Sequence, residues 1–339
     1  MNKKLAIIFN IGSSSIKIEI FEVDSQKSIY YKNLESINIQ SDLDKAIFEI
    51  LKEYKLEDFI ITGHRVVHGG PNLKTCHEID SEIIKEIQRN IPKAKIHNPV
   101  NLIGIESAKK IFKNCLHYAC FDTGFFKNIP EEIKTLAIPK EWRDKYEFQK
   151  YGFHGLNHQY FTEKFKNLNK IVVCHLGNGC SISLIENQKA KDITMSYSPV
   201  SGLIMSTRCG DLDANIVCEL YKNKEKNISE KLNFQSGLLG LTQETSAMKD
   251  IFKEKNIKEN YLLAYNCFIY ETSKKIASFI GQFPITEKII FSGGICENNA
   301  QIVKDLLKNL NKECYNNYEI LTSNENLQIL KNIININVS

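Results

Sequence analysis

The sequence predicts an α/β protein whose two halves repeat one plan. Three observations predict it. A strand, a glycine loop and a second strand open the chain. A related unit recurs half a chain later. Amphipathic helices and further buried strands lie between and after them. With 339 residues, the chain is long for one core and comfortable for two domains.

Residues 5–9, Leu-Ala-Ile-Ile-Phe, read as a buried strand. Asn10–Ser15 form a polar glycine loop, and Ile16–Ile20 alternate as a half-buried strand. Ser41 is the expected N-cap of a helix over Asp42–Tyr54, and Phe59–Thr62 reads as the next strand. A helix is expected over Val100–Phe112 and a strand over Leu116–Phe121. The seam between halves is expected after Gly124, near Pro130–Pro139. Without a flexible linker, the halves are expected to pack and form a cleft.

A helix over Gln159–Lys166 leads into the second copy. Ile-Val-Val-Cys is followed by His175–Cys180 and then Ser-Ile-Ser-Leu-Ile. Laid over the first copy without a gap, Gly12 meets Gly177. Such loops aim several backbone N–H groups into one concavity, which suits phosphate oxygens. After a long helical pattern over Tyr261–Ile280 comes a strand at Lys288–Phe291. The glycine turn Ser292–Asn299 and a helix over Ala300–Leu310 follow, an arrangement that brings backbone against a nucleotide.

Composition narrows the function classes. Net charge is +4 with acids interleaved, so no basic block suggests nucleic acid or a membrane surface. No apolar run approaches the roughly 18 residues of a membrane span. The short apolar run behind Lys3-Lys4 reads as a first strand, not a signal peptide. Ten scattered cysteines, none in Cys-x-x-Cys, point to reduced thiols in the cytoplasm.

The chain carries 40 lysines and only four arginines, and two of these lie in glycine-bearing polar motifs. Arg65 sits in Gly-His-Arg-Val-Val-His-Gly-Gly (63–70), and Arg208 in Met-Ser-Thr-Arg-Cys-Gly-Asp-Leu-Asp (205–213). A guanidinium grips carboxylate or phosphate with a rigid fork that lysine lacks.

The motifs taken together resemble the acetokinase family within the acetate and sugar kinase/Hsp70/actin superfamily. The resemblance rests on Asn10–Lys17, His64–Gly70, His97–Pro99, Phe121–Thr123, Tyr151–Gly155, His175–Gly179, Thr207–Asp213, Gly294–Asn298 and Asn324-Glu325, in order over nearly the whole chain. It implies duplicated actin-like ATPase (ribonuclease H-like) domains flanking a nucleotide cleft. One domain would hold residues 1–124 and about 326–339, the other 125–325. The implied reaction is reversible, in-line transfer of the ATP γ-phosphoryl group to acetate. ATP/ADP and Mg²⁺, with Mn²⁺ as a substitute, would serve a homodimer.

Carried over by motif, Asp122, His154 and Arg208 are the catalytic group. Arg65 holds the acid, and Val67, Ile96, Phe153 and Pro199 line a small acyl pocket. Asp122 either orients an arginine or a Mg²⁺-bound water, or merely caps a turn. Asn10 and Glu325 match the metal positions, although Glu325 equally suits a helix N-terminus. Ser13, Ser15 and Lys17 fall near the phosphates, with His175, Leu176, Gly177, Asn178 and Gly179 as the second cradle. Ala247, Met248, Lys249, Gly294, Ile295, Cys296, Glu297 and Asn298 would approach the adenosine. The sequence departs from the family pattern at Phe126, Leu156, Asn157, Ser196 and Cys296. It also has Ala247 and Lys249 where an aspartate and an arginine are usual, which leaves base preference open. Propionate or butyrate as the acid, or a weakly catalytic nucleotide binder of the same fold, are the alternatives.

Overall fold

The computed structural model describes residues 4–12, 15–35, 38–73 and 75–338. The chain divides into two compact units. The first comprises the described residues of Met1–Lys127, His154–Tyr160 and Asn324–Ser339; the second comprises Asn128–Phe153 and Phe161–Ser323.

The first unit is built on β1 (Leu5–Ile11), β2 (Ser15–Glu22), β3 (Lys27–Glu35), β4 (Phe59–Val66), β5 (Cys76–Glu78) and β6 (Leu116–Phe121), in the order β3-β2-β1-β4-β6-β5. β1, β2 and β3 form an antiparallel meander, and β1, β4 and β6 run parallel. The central strand is apolar on both faces because both faces are covered. Leu5, Ile7, Phe9 and Ile11 pack with Leu43, Ile47, Ile50 and Phe112. Ala6 and Ile8 pack with Ile329, Leu330 and Ile333 of the helix Glu325–Val338.

The second unit repeats this plan. β7 (Lys170–Leu176), β8 (Cys180–Glu186) and β9 (Lys189–Ile193) form the meander. β10 (Lys288–Ser292) and β11 (Tyr318–Ile320) join parallel to β7, giving the order β11-β10-β7-β8-β9. The helix Glu259–Ile280 packs on β7 and β8. The two copies are not superposable without a gap. Ile11 pairs with Ile16, whereas Leu176 pairs with Cys180, so the second loop is one residue shorter.

The expected helices form at Ile39–Glu53, Asn98–Ile111, Gly155–Lys164, Glu259–Ile280 and Ala300–Leu307. One cap differs: Asn38, not Ser41, is the N-cap, and its side chain accepts the Ser41 N–H. Starting the helix earlier buries Ile39. The turn expected after Gly294 is itself helical over Gly294–Glu297.

Candidate active site

In the first unit, parallel strands deliver three polar side chains from their C-terminal ends, where α/β sheets bind ligands. Asn10 lies near the end of β1, Arg65 near the end of β4, and Asp122 directly after β6. Glu325 begins the helix that packs beneath the sheet. Arg65 donates from Nε (3.0 Å) and Nη2 (2.7 Å) to Asp122 Oδ2, and from Nη1 (3.1 Å) to Asn10 Oδ1. Glu325 Oε2 lies 3.5 Å from Arg65 Nη1 and accepts from Asn10 Nδ2 at 2.9 Å. A guanidinium has five N–H groups, so two remain for a ligand.

Burial alone would lower the Arg65 pKa, but the charges of Asp122 and Glu325 outweigh it and hold it above its ordinary value. Burial raises the Asp122 carboxyl above the usual carboxylate value, with Arg65 opposing and Glu325 adding to the rise. The Asp122 side chain is 1% exposed and that of Arg65 17%.

Asp122 Oδ1 also accepts the Leu156 N–H at 3.4 Å. The neighbouring glycine is required by contact: a Cβ on Gly155 would lie 1.9 Å from the Asp122 carbonyl oxygen. That approach seats His154, in left-handed backbone (φ 60°), at the start of the helix beside Asp122. The departures in this region serve packing. Leu156 is fully buried, and Phe126 meets the His158 ring edge-on at 5.7 Å. Lys17 stands directly opposite Asn10 in the β1–β2 register, and Ser15 opens β2. Val67 is buried and Ile96 half-buried in the same unit. Ser13 lies outside the described residues.

The second unit holds Arg208 in a braced turn. Met205 N–H bonds to Arg208 C=O at 3.2 Å, and Leu238 N–H bonds to Met205 C=O at 2.9 Å. Ser206 donates from its backbone N–H to Asn178 C=O and from its hydroxyl to Asn178 Oδ1, both at 3.2 Å. The arginine turn is thereby tied to the second glycine loop. Arg208 Nη1 reaches only Pro199 C=O (3.2 Å) and Met205 Sδ (3.7 Å), and no carboxylate among the described residues pairs with it. Burial lowers its pKa, but arginine remains charged at neutral pH.

A cavity of about 920 Å³ opens beside that loop. Gly177, Asn178, Ala247, Met248, Lys249, Gly294, Ile295 and Asn298 line it. So do Phe252, Lys253, Asn299 and Ile302, which sequence reasoning missed. Phe252 and Lys253 were recoverable, because they stand three and four residues beyond Lys249 on the helix Met248–Glu254. His175, Leu176, Gly179, Cys296 and Glu297 do not line it. Leu176 and Cys296 are fully buried beneath. Glu297 accepts from Gly293 N–H (2.7 Å) and the Thr322 hydroxyl (2.8 Å), which closes the glycine turn. His175 Nδ1 lies 3.4 Å from the Ser292 hydroxyl. Phe153 is buried and Pro199 half-buried in this unit. The departure Ser196 supplies the carbonyl that accepts Tyr151 and Gly152 N–H groups.

A repeated meander with parallel strands, two glycine loops and half-buried arginines defines the class, a phosphotransferase of the duplicated actin-like ATPase fold. The chain belongs to the acetokinase family, whose model matches residues 33–319. An acetate kinase of Clostridium acetobutylicum is 34% identical over 345 residues, covering 90% of this chain and 86% of the relative. One from Wigglesworthia glossinidia brevipalpis is 35% identical over 353 residues, covering 91% and 87%. Among solved structures, a propionate kinase from Francisella tularensis matches with TM-score 0.88 at 29% identity, covering 97% of this chain and 98% of that one. The Porphyromonas gingivalis acetate kinase matches with TM-score 0.84 at 25% identity, covering 98% and 99%. No helix among the described residues is long and apolar enough to cross a membrane.

Proposed function

We propose that the protein is an acetate kinase that transfers the γ-phosphoryl group of ATP to acetate, giving acetyl phosphate and ADP. The observation that carries this reading is Arg208, a half-buried cation without a carboxylate partner among the described residues, tied through Ser206 to a glycine loop. A partly desolvated charge with no counter-charge is a ready seat for an anion.

The acid is ionised at neutral pH, so no general base is needed. One carboxylate oxygen attacks the γ-phosphorus as the bond to the bridging oxygen breaks, and ADP leaves with that electron pair. The protein's task is positioning and charge. The two open N–H groups of Arg65 would hold the carboxylate, with Asp122 fixing the fork. Arg208 and His154 would donate to the phosphoryl oxygens. Lys17, Ser13 and Ser15, with His175–Gly179, would carry the phosphates. The cavity beside Gly177 and Gly294 would take the nucleoside. Val67, Ile96, Phe153 and Pro199 would wall the acyl group.

Asn10 and Glu325 suit Mg²⁺ held jointly with substrate. One carboxylate and one amide oxygen are a partial set for an ion that keeps water and takes phosphate oxygens. Mg²⁺ would supply charge neutralisation at the phosphates, and Mn²⁺ suits the same oxygens.

The reading extends to a cytoplasmic homodimer. The thiols stand free, and the helix Ala214–Lys222 has no buried residue although it carries Ile216 (46% exposed) and Tyr221 (71% exposed). Both features support it. A panel of acetate, propionate and butyrate with ATP and Mg²⁺, trapped as hydroxamates, tests the substrate. Acetate should give the highest kcat/KM. A tenfold advantage for a longer acid would reassign the substrate, and no product with any acid would remove the kinase reading.

A further inference from the structure

We infer that Asn101 is a positioning residue that sets the acid-side loop against the first phosphate loop and so tunes which short acid is accepted. The inference rests on the kinase reading above. Pairing between β1 and β4 ends at Phe9 opposite His64. Just beyond it, Ile11 C=O and Val67 N–H lie in buried surroundings with no strand to answer them. The Asn101 side chain, 2% exposed, answers both: Oδ1 accepts Val67 N–H at 3.2 Å, and Nδ2 donates to Ile11 C=O at 2.8 Å.

Asn98, one turn earlier on the same helix, does the same for the next residue. Its Oδ1 accepts His68 N–H at 3.1 Å, and its Nδ2 donates to His68 C=O at 3.0 Å. The first turns of the helix Asn98–Ile111 thus act as a surrogate strand edge. The helix comes this close because residue 104 is glycine. A Cβ there would lie 2.4 Å from Ile11 Cδ1.

The consequence is a mechanical link. Ile11 directly precedes Gly12, whose N–H closes the phosphate loop on Ser15 C=O at 2.8 Å. Val67 stands two residues beyond Arg65 and is 6% exposed. One planar amide therefore has an end on each loop. A small displacement of Val67 alters the acyl wall, where a single methylene discriminates by roughly 10–200-fold.

The test compares the unchanged protein with Asn101→Leu, Asn101→Asp and Ile105→Val. Leucine removes both bonds. Aspartate keeps an acceptor for Val67 N–H but turns an oxygen toward Ile11 C=O. Ile105 is fully buried on the same helix and serves as a packing control. The readouts are kcat and KM for acetate, propionate and ATP, with urea melts for stability.

Asn101→Leu should raise the acetate KM about tenfold and cut the acetate-over-propionate kcat/KM ratio by about fivefold or more. Asn101→Asp should hold that ratio within about twofold while raising the ATP KM. Ile105→Val should move neither. Should Asn101→Leu fail to fold, the near-isosteric Asn101→Asp carries the test, and an unchanged ATP KM overturns the link. Equal losses for both acids in Asn101→Leu, with both KM values unmoved, would assign Asn101 a purely structural role. No turnover by the unchanged protein sinks the kinase reading and this inference with it. Turnover with an unmoved ratio sinks this inference alone.

Discussion

Replacing Asp122 with asparagine probes the assignment of Arg65 most informatively. One oxygen of Asp122 accepts two N–H groups of Arg65, at 3.0 and 2.7 Å, in a site where the carboxylate is 1% exposed. Asparagine keeps the shape and one acceptor but removes the charge. Hydrogen bonds to charged groups contribute about 1.5–3 kcal/mol each, and breaking a buried pair costs about 3–5 kcal/mol. Glu325, 3.5 Å from Nη1, remains to share the positive charge, which favours the lower end of that range.

We expect Asp122→Asn to lose about 3 kcal/mol of folding stability in urea. A freed guanidinium can also swing off the acid. Misplacement of that kind lowers turnover about 10²-fold, or roughly 3 kcal/mol of barrier. Hydroxamate-trapped acyl phosphate measures turnover, and chemical denaturation measures stability. The orientation role fails if Asp122→Asn stays within threefold of the unchanged kcat/KM while Arg65→Ala is strongly impaired.

Three further outcomes follow from the geometry. Gly155→Ala should cost about 3 kcal/mol or more, read by urea melts, because the added carbon meets the Asp122 carbonyl oxygen at 1.9 Å. His64 is fully buried against Phe9, and burial with neighbouring His117 and Lys109 holds its pKa at about 3, so the unfolded chain binds a proton there that the folded one refuses. Stability from this group is complete above its unfolded pKa near 6.5 and falls as pH drops toward 3. Between pH 6.5 and 4.5 the loss is about 2 kcal/mol, and His64→Gln should flatten that slope in pH-dependent melts. Parallel slopes for the two proteins would refute it. Ile216→Glu on the helix without buried residues should convert the proposed dimer to monomer in light scattering; a dimeric mass for the variant would place the interface elsewhere, and a monomeric mass for the unchanged protein would remove the dimer reading.

Much of this was legible in the chain because strand periodicity and glycine loops are local signals. β1 and β7, and the strand and the later helix that follow Lys288, appear where the pattern predicts them. The one-residue shortening of the second loop was not legible, since register is set by pairing across strands, not by spacing along one. The partnership of Arg65 with Asp122 joins residues far apart in sequence, so only the family resemblance brought them into one hypothesis. Asn98 falls in the His97–Pro99 motif, but nothing local in the sequence tells what it or Asn101 bonds. Their service to Val67, His68 and Ile11 exists only because the helix crosses the ends of β1 and β4. Glu297 was misleading for a different reason: it belongs to the glycine motif but spends both carboxylate oxygens closing the turn.

In the proposed mechanism the two arginines do different work, Arg65 on the acid and Arg208 on the moving phosphoryl group. Steady-state kinetics of Arg65→Ala and Arg208→Ala, with acetate and ATP varied separately, test it most directly. Arg65→Ala should chiefly raise the acetate KM. Arg208→Ala should chiefly lower kcat, by about 10²–10³-fold, because its contact matures in the transition state. The same pattern for both variants, or an unchanged kcat in Arg208→Ala, would contradict it.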